Sequence, residues 1–214
     1  MKTYTALGDS ITAGIGASSP TSAYPCVVAR LLREKSRQTA VDKFAYPGWT
    51  STDLRLALSE YDYSPVRKST VTSIWIGGDN LIAAGLLILK GAGTQAIPKL
   101  LSQYEYDLNA IIKNTRQSSK TSIVLCTQYN PFPNAPVAVQ SIQALNGITQ
   151  RTASRHRAKL APVHQWFAGN QAELIAGYRN GRLEDGAAGS LPVHPNDKGH
   201  MRIARGLFPL VASE

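Results

Sequence analysis

Two residues at opposite ends of the chain have the types and settings that nucleophilic catalysis needs. Ser10, in Gly8-Asp9-Ser10, directly follows a short β-type run and opens a loop of small residues, Thr12-Ala13-Gly14-Ile15-Gly16. A hydroxyl there sits at a strand end among backbone N–H groups, although Gly-Asp-Ser is also an ordinary turn composition. His194 lies in Pro192-Val193-His194-Pro195-Asn196, just ahead of a final helical period, where two prolines stiffen the backbone. A general base must be placed before it can take a proton, so a histidine held in this way suits that work. His156, His164 and His200 fall in or beside regular elements and read as surface or packing residues. His194 with His200 lacks the close spacing and companion ligands of a metal site, so no metal is expected. No Gly-x-Gly-x-x-Gly or Gly-x-x-x-x-Gly-Lys pattern opens a helix, which argues against a phosphate loop and a nucleotide cofactor; no cofactor is expected.

The elements that must position these residues alternate along the chain. Tyr4 to Leu7, Val41 to Tyr46, Val71 to Ile76, Ser122 to Tyr129 and Leu160 to Trp166 read as strands. Between them Tyr24, Val27, Val28, Leu31 and Leu32 recur at helical spacing. Thr50 or Ser51 can cap a short helix through Leu58, and Pro98 suits the first turn of a helix carrying Leu101, Tyr104, Leu108 and Ile111. Leu81 to Leu89 is a weakly polar segment. Ile142, Leu145 and Ile148 mark another helix; after a Gly-rich loop from Gly177 to Gly189, a last one starts at about Asn196. Five strands alternating with helices imply a parallel sheet covered on both faces. Right-handed crossovers then gather every strand-to-helix loop at the carboxyl edge, where chemistry is expected.

Composition narrows the partners. With 214 residues, 43% hydrophobic and 17% charged, the chain reads as a single globular domain, 1–214, and not as a disordered tail or repeat array. The net charge of +9 is concentrated in Arg30, Arg33, Lys35 and Arg37, and in Arg151, Arg155, Arg157 and Lys159. Each cluster closes a helical segment, where cations complement the helix dipole. Neither interleaves stacking aromatics, so no nucleic-acid partner is expected. Cys26 and Cys126 read as buried apolar thiols. Leu81 to Leu89 is interrupted by Gly85 and too short to span a bilayer, and Met1-Lys2 leads into no apolar run. The chain reads as soluble and cytoplasmic as written, without a stable membrane anchor, and its localisation is left open.

Four blocks, in order, resemble those of the GDSL or SGNH hydrolases: Gly8-Asp9-Ser10, Gly48, Gly77-Gly78-Asp79-Asn80, and His194-Pro195-Asn196 with Gly199-His200. The resemblance implies a flavodoxin-like three-layer α/β/α sandwich with about five parallel strands. It also implies a carboxylic ester hydrolase of esterase or lipase type acting on a small-molecule ester. Ser10 would be the nucleophile and His194 its base. The oxyanion hole would come from the backbone N–H groups of Ser10 and Gly48 and a side-chain amide of the third block. Two positions depart from the family pattern. The third block has Asp79 then Asn80 where the family has Asn then Asp, so either a protonated Asp79 or an inward-turned Asn80 would face the oxyanion. Leu191 stands where the family places an aspartate beside the histidine, so His194 Nδ1 needs a carbonyl of the Ser190-Leu191 stretch or Asp185. A carbonyl would leave a Ser–His dyad. The same departures would also suit a binding protein of this fold with weakened chemistry. Trp49, Tyr129, Phe132, Leu191, Pro192 and Val193 offer an apolar lining for an acyl chain, or ordinary packing.

Overall fold

The computed structural model describes the chain apart from residues 1, 36–37, 61–63, 90–94, 189–190 and 214. Its strands are β1 (Lys2–Gly8), β2 (Thr39–Ala45), β3 (Val71–Trp75), β4 (Ser122–Cys126) and β5 (Lys159–Ala161). The helices α1 (Ser10–Ala13), α2 (Tyr24–Lys35), α3 (Ser51–Glu60), α4 (Ser64–Arg67) and α5 (Gly78–Leu89) belong to the first half of the chain. The second half carries α6 (Ala96–Ser118), α7 (Pro136–Arg155), α8 (Val163–Phe167), α9 (Gln171–Leu174) and α10 (Asp197–Ala212). All strand pairs are parallel, in the order β2-β1-β3-β4-β5.

Strand periodicity builds the layers. Tyr4 and Ala6 of β1, Val71 and Trp75 of β3, and Val124 and Cys126 of β4 enter one core with α2, α8 and α10. The intervening Leu7, Ile74, Ile123 and Leu125 enter a second core with α3, α6 and α7. Side chains of a strand alternate between faces, so near-continuous apolar runs are what a sheet covered on both sides requires. The result is the flavodoxin-like three-layer α/β/α sandwich. Its strand order reverses at β1, which pairs with β2 on one side and β3 on the other. Loops leaving the carboxyl ends of β1 and β3 therefore diverge and open the crevice where such folds bind ligands.

Several expected elements shift. The fifth strand, expected through Trp166, stops at Ala161, because Pro162 has no N–H for the ladder. Val163 and Phe167, four residues apart and both wholly buried, then form one face of α8. The segment from Leu81 belongs to a helix that already starts at Gly78. Part of the Gly177 to Gly189 loop is a 3-10 turn, Leu183–Ala188, while residue 189 lies outside the described residues. Cys126 is buried, but Cys26 on α2 is only half-buried. The cationic clusters do lie at helix ends: Arg33 and Lys35 close α2 and Arg155 closes α7, with Arg37 outside the described residues. Among the described residues, no helix is long and apolar enough to cross a membrane.

Candidate active site

Ser10 and His194, 184 residues apart, meet at the carboxyl edge of β1 with Ser10 Oγ 2.9 Å from His194 Nε2. Ser10 starts α1, whose N-cap Asp9 accepts from Ile11 N at 3.1 Å. That helix ends after one turn because Gly14, at φ 108°, returns its N–H to Ser10 O and Ile11 O. The chain then runs against the histidine loop: a Cβ on Gly16 (φ 92°) would collide with Pro195 O and press on His194 Cβ. Only glycine fits such an approach.

The histidine loop is held from several sides. Ala176 N donates to His194 O at 2.9 Å, Ile175 and Pro195 form an isolated antiparallel bridge, and Asn196 N donates to Leu174 O at 2.9 Å. Asn196 also caps α10 by accepting from Gly199 N. The phenol of Tyr129 donates to Val193 O, while its ring stacks on Phe167 at 4.1 Å. Desolvation holds the His194 pKa below its ordinary value, so the imidazole is neutral and free to accept at neutral pH. Accepting the Ser10 proton at Nε2 leaves the ring hydrogen on Nδ1.

Among the described residues, nothing accepts from that Nδ1. Asp185 takes Asn180 N at 2.9 Å and Arg182 N at 3.2 Å and is held within its own turn, away from the role considered for it. Ser190 lies outside the described residues, and the neighbouring Leu191 side chain is 37% exposed. His200 is a packing residue: Nδ1 accepts from Tyr24 N at 3.2 Å and Nε2 donates to Ile15 O at 3.2 Å, an arrangement for a neutral ring. Among the described residues no three His, Cys, Asp or Glu side chains gather as metal ligands.

The other loops of this edge bring Gly48, Asp79 and Asn80. Gly48, exposed and at φ 86°, lies in the turn between β2 and α3. Asn80 is buried and engages Ser51 twice, accepting from Ser51 N at 2.9 Å and donating to Ser51 Oγ at 3.0 Å. Asp79, beside it in the first turn of α5, is half-buried and makes no such bond. Desolvation, reinforced by the Asp53 carboxylate, raises its pKa. Asp9 is shifted further, up to about 8, by burial and then by Asp79. Asp9 Oδ2 and Gln128 Nε2 approach the same point on Gly78, 3.7 and 3.8 Å from where a Cβ would stand. The buried Gln128 Nε2 has no hydrogen-bond partner among the described residues.

The position of Asp9 carries a stability consequence. Its folded pKa of about 8 exceeds the ordinary 3.8, so its contribution is full below about pH 4 and is lost as pH rises through about 8. Asp9→Asn keeps an oxygen for Ile11 N and removes the titration. The melting temperature of the variant relative to wild type is expected to climb between about pH 4 and pH 9. A constant difference across that range would show that Asp9 does not fold as the neutral acid.

Of the apolar residues considered for an acyl lining, most pack inside. Tyr129 and Phe132 are buried, Pro192 is buried, and Trp49 sits edge-on to Phe44 at 5.3 Å. Val193 is half-buried and Leu191 exposed. Tyr129 is thus a support of the histidine loop rather than a wall of a substrate channel. Its place after β4 was legible, but no local pattern announces a hydrogen bond to residue 193.

A serine and a histidine are thus in contact at the switch point of a 2-1-3-4-5 sheet on a flavodoxin-like fold. The chain belongs to the GDSL-like lipase/acylhydrolase family, whose model matches residues 6–202, and is thereby classed with ester hydrolases. It is 22% identical over 211 residues to the spore germination lipase LipC of Bacillus licheniformis, covering 95% of this chain and 93% of LipC. Among solved structures it resembles the lipase Lip_vut3 from a goat rumen metagenome, with a TM-score of 0.82, 22% identity and coverage of 97% and 96%. The acetylxylan esterase Axe2 of Geobacillus stearothermophilus gives a TM-score of 0.73 at 21% identity, covering 100% of this chain and 95% of Axe2. Axe2 has also been crystallised as two catalytic mutants, one losing a serine and one a histidine to alanine. At these identities the structural likenesses establish the fold.

Proposed function

We propose that this protein hydrolyses small carboxylic esters through an acyl-enzyme on Ser10, as one catalytic domain spanning 1–214. The observation that carries this reading is the 2.9 Å contact between Ser10 Oγ and the neutral His194 Nε2. Ser10 Oγ attacks the ester carbonyl as His194 takes its proton; the imidazolium then returns that proton to the leaving alcohol. Water, deprotonated by the same imidazole, attacks the acyl carbon, and the imidazolium passes that proton to Ser10 Oγ as the acid leaves. The backbone N–H groups of Ser10 and Gly48 face the developing oxyanion, with Asp79 as the third group when protonated. Asn80, committed to Ser51, supports the loop instead. With Leu191 in the family's aspartate position and Asp185 engaged elsewhere, His194 works in a Ser–His dyad whose orientation comes from its clamped backbone. No nucleic acid and no stable membrane anchor belong to this reading.

The similarity to lipases and to an acetylxylan esterase supports an ester substrate and leaves acyl length to experiment. The competing reading, a binding protein on the same fold, draws on Leu191 and on the acid at position 79. A fluorophosphonate separates them. Intact-mass analysis is expected to show one phosphonyl adduct on the wild type, mapped to Ser10 and missing from Ser10→Ala. An unlabelled, folded wild type would reject the esterase reading. A series of p-nitrophenyl esters from acetate to laurate then sets the acyl preference.

A further inference from the structure

Behind the oxyanion side of the site lies a carboxylate that takes no part in the chemistry. Asp107, on α6, is fully buried. Removing a charge from water is costly unless its lone pairs are all occupied. Here Oδ2 accepts from Ser51 Oγ at 2.9 Å and Thr52 Oγ1 at 2.7 Å, and Oδ1 from Arg55 Nε at 2.6 Å and Gln103 Nε2 at 3.0 Å. Three of these donors stand in the first turns of α3, which begins three residues after Gly48.

Ser51 continues the chain of bonds. Its single hydroxyl proton goes to Asp107, so its lone pairs must be met by a donor, and Asn80 Nδ2 supplies it. Ser51 N meanwhile donates to Asn80 Oδ1. The start of α3, carrying the Gly48 loop, is thus joined by two hydrogen bonds to the start of α5, carrying Asp79. We propose that Asp107 and Ser51 are positioning residues that set the Gly48 loop against residue 79, and that the buried anion at 107 dictates an amide at 80. A carboxylate at 80 would face a Ser51 oxygen whose proton is already committed, with a second buried anion one serine away. This rests on the esterase reading, because the geometry being set is that of the oxyanion donors.

The proton count prescribes the test. Moving the carboxylate from 107 to 80 reverses the chain: Ser51 would donate to position 80, and an amide at 107 would donate to Ser51 and Thr52 while its oxygen still accepts from Arg55 and Gln103. Steady-state kinetics on p-nitrophenyl acetate are measured for Ser51→Ala, Asn80→Asp, Asp107→Asn and the double Asn80→Asp/Asp107→Asn. Ser51→Ala is expected to lower kcat roughly ten- to a hundred-fold with KM nearly unchanged, since misplacement of donors acts on the transition state. Each single exchange is expected to lower kcat, and the double to recover most of it. A Ser51→Ala variant with wild-type kcat, or a double no better than the worse single, overturns the proposal. Should a single exchange fail to fold, a folded and active double supports it and a double that also fails overturns it. The wild-type control is scored separately: if it neither turns over ester nor takes the phosphonate, the esterase reading falls, and the positioning role with it. An active wild type with an additive cycle removes only the positioning role.

Discussion

Ser10→Ala is expected to lower kcat for ester hydrolysis on the order of 10⁴-fold or more, and His194→Ala by a comparable factor. The double variant should be little worse than either single one. In the proposed mechanism nucleophile and base act as one unit, so once either is gone the other has nothing left to do. Residual turnover would come from the oxyanion donors and substrate binding, which neither substitution touches. The fold should survive both changes. Ser10 Oγ makes its hydrogen bond to His194, and the histidine loop is held by backbone contacts at Ala176, Asn196 and Tyr129 that do not use the imidazole. Unchanged melting temperatures with collapsed kcat are the expected pair of measurements. Wild-type turnover by Ser10→Ala would place the nucleophile elsewhere.

The second large effect is expected at Asp79, and it has a sign that depends on pH. The group is pushed towards its neutral form by desolvation and by Asp53, and the Asp9 side chain stands nearby as a further acid. In the role proposed for it, the protonated acid donates a hydrogen bond to the oxyanion, and the ionised one repels the charge that the transition state develops. His194 runs the opposite way, since it must be neutral to accept, and desolvation lowers its pKa. The two shifts bring the useful forms together: a neutral histidine reaches to lower pH and a protonated Asp79 to higher pH. In the proposed mechanism wild-type kcat should therefore fall as pH rises through the Asp79 pKa and as it drops through that of His194.

Asp79→Asn supplies a donor that does not titrate. At a pH above the Asp79 pKa it should raise the rate by about ten-fold or more and remove the fall, given that one oxyanion donor is typically worth about 10²–10³. Asp79→Ala should lack that fall altogether. An Asp79→Asn profile that superimposes on wild type would reject the protonated-acid role and return the donor to Asn80.

Much of this architecture could be read locally. Short β-type runs alternating with helical periods imply a parallel sheet covered on both faces, and Gly8, Gly48 and Gly77 mark where strands give way to turns. Such signals involve neighbours a few residues apart, so they are present in any contiguous stretch. Thr50 and Asp53 illustrate the same point at the start of α3, where Thr50 N and Oγ1 donate to Asp53 Oδ2 at 2.8 and 2.6 Å. The end of β5 was less legible, because apolar residues from Leu160 to Trp166 suit either period. The broken ladder at Pro162 and the burial of Val163 and Phe167 on one helical face decided it.

The sequence by itself therefore determined the alternation of elements and the sheet edge at which Ser10 and His194, expected as partners, come into contact. It could not say which way the inverted Asp79-Asn80 pair turns. That choice depends on Ser51, 29 residues before Asn80, which donates its one hydroxyl proton to Asp107, 56 residues further on, and so accepts from the Asn80 amide. Nor could it separate Tyr129 the channel wall from Tyr129 the clamp, since Val193 is 64 residues away. Local propensity acts through the covalent neighbourhood, whereas a buried polar atom must find its partner wherever the packed layers put one. Only the tertiary structure, by bringing α6 behind the starts of α3 and α5, decided which partners Ser51, Asn80 and Asp107 take.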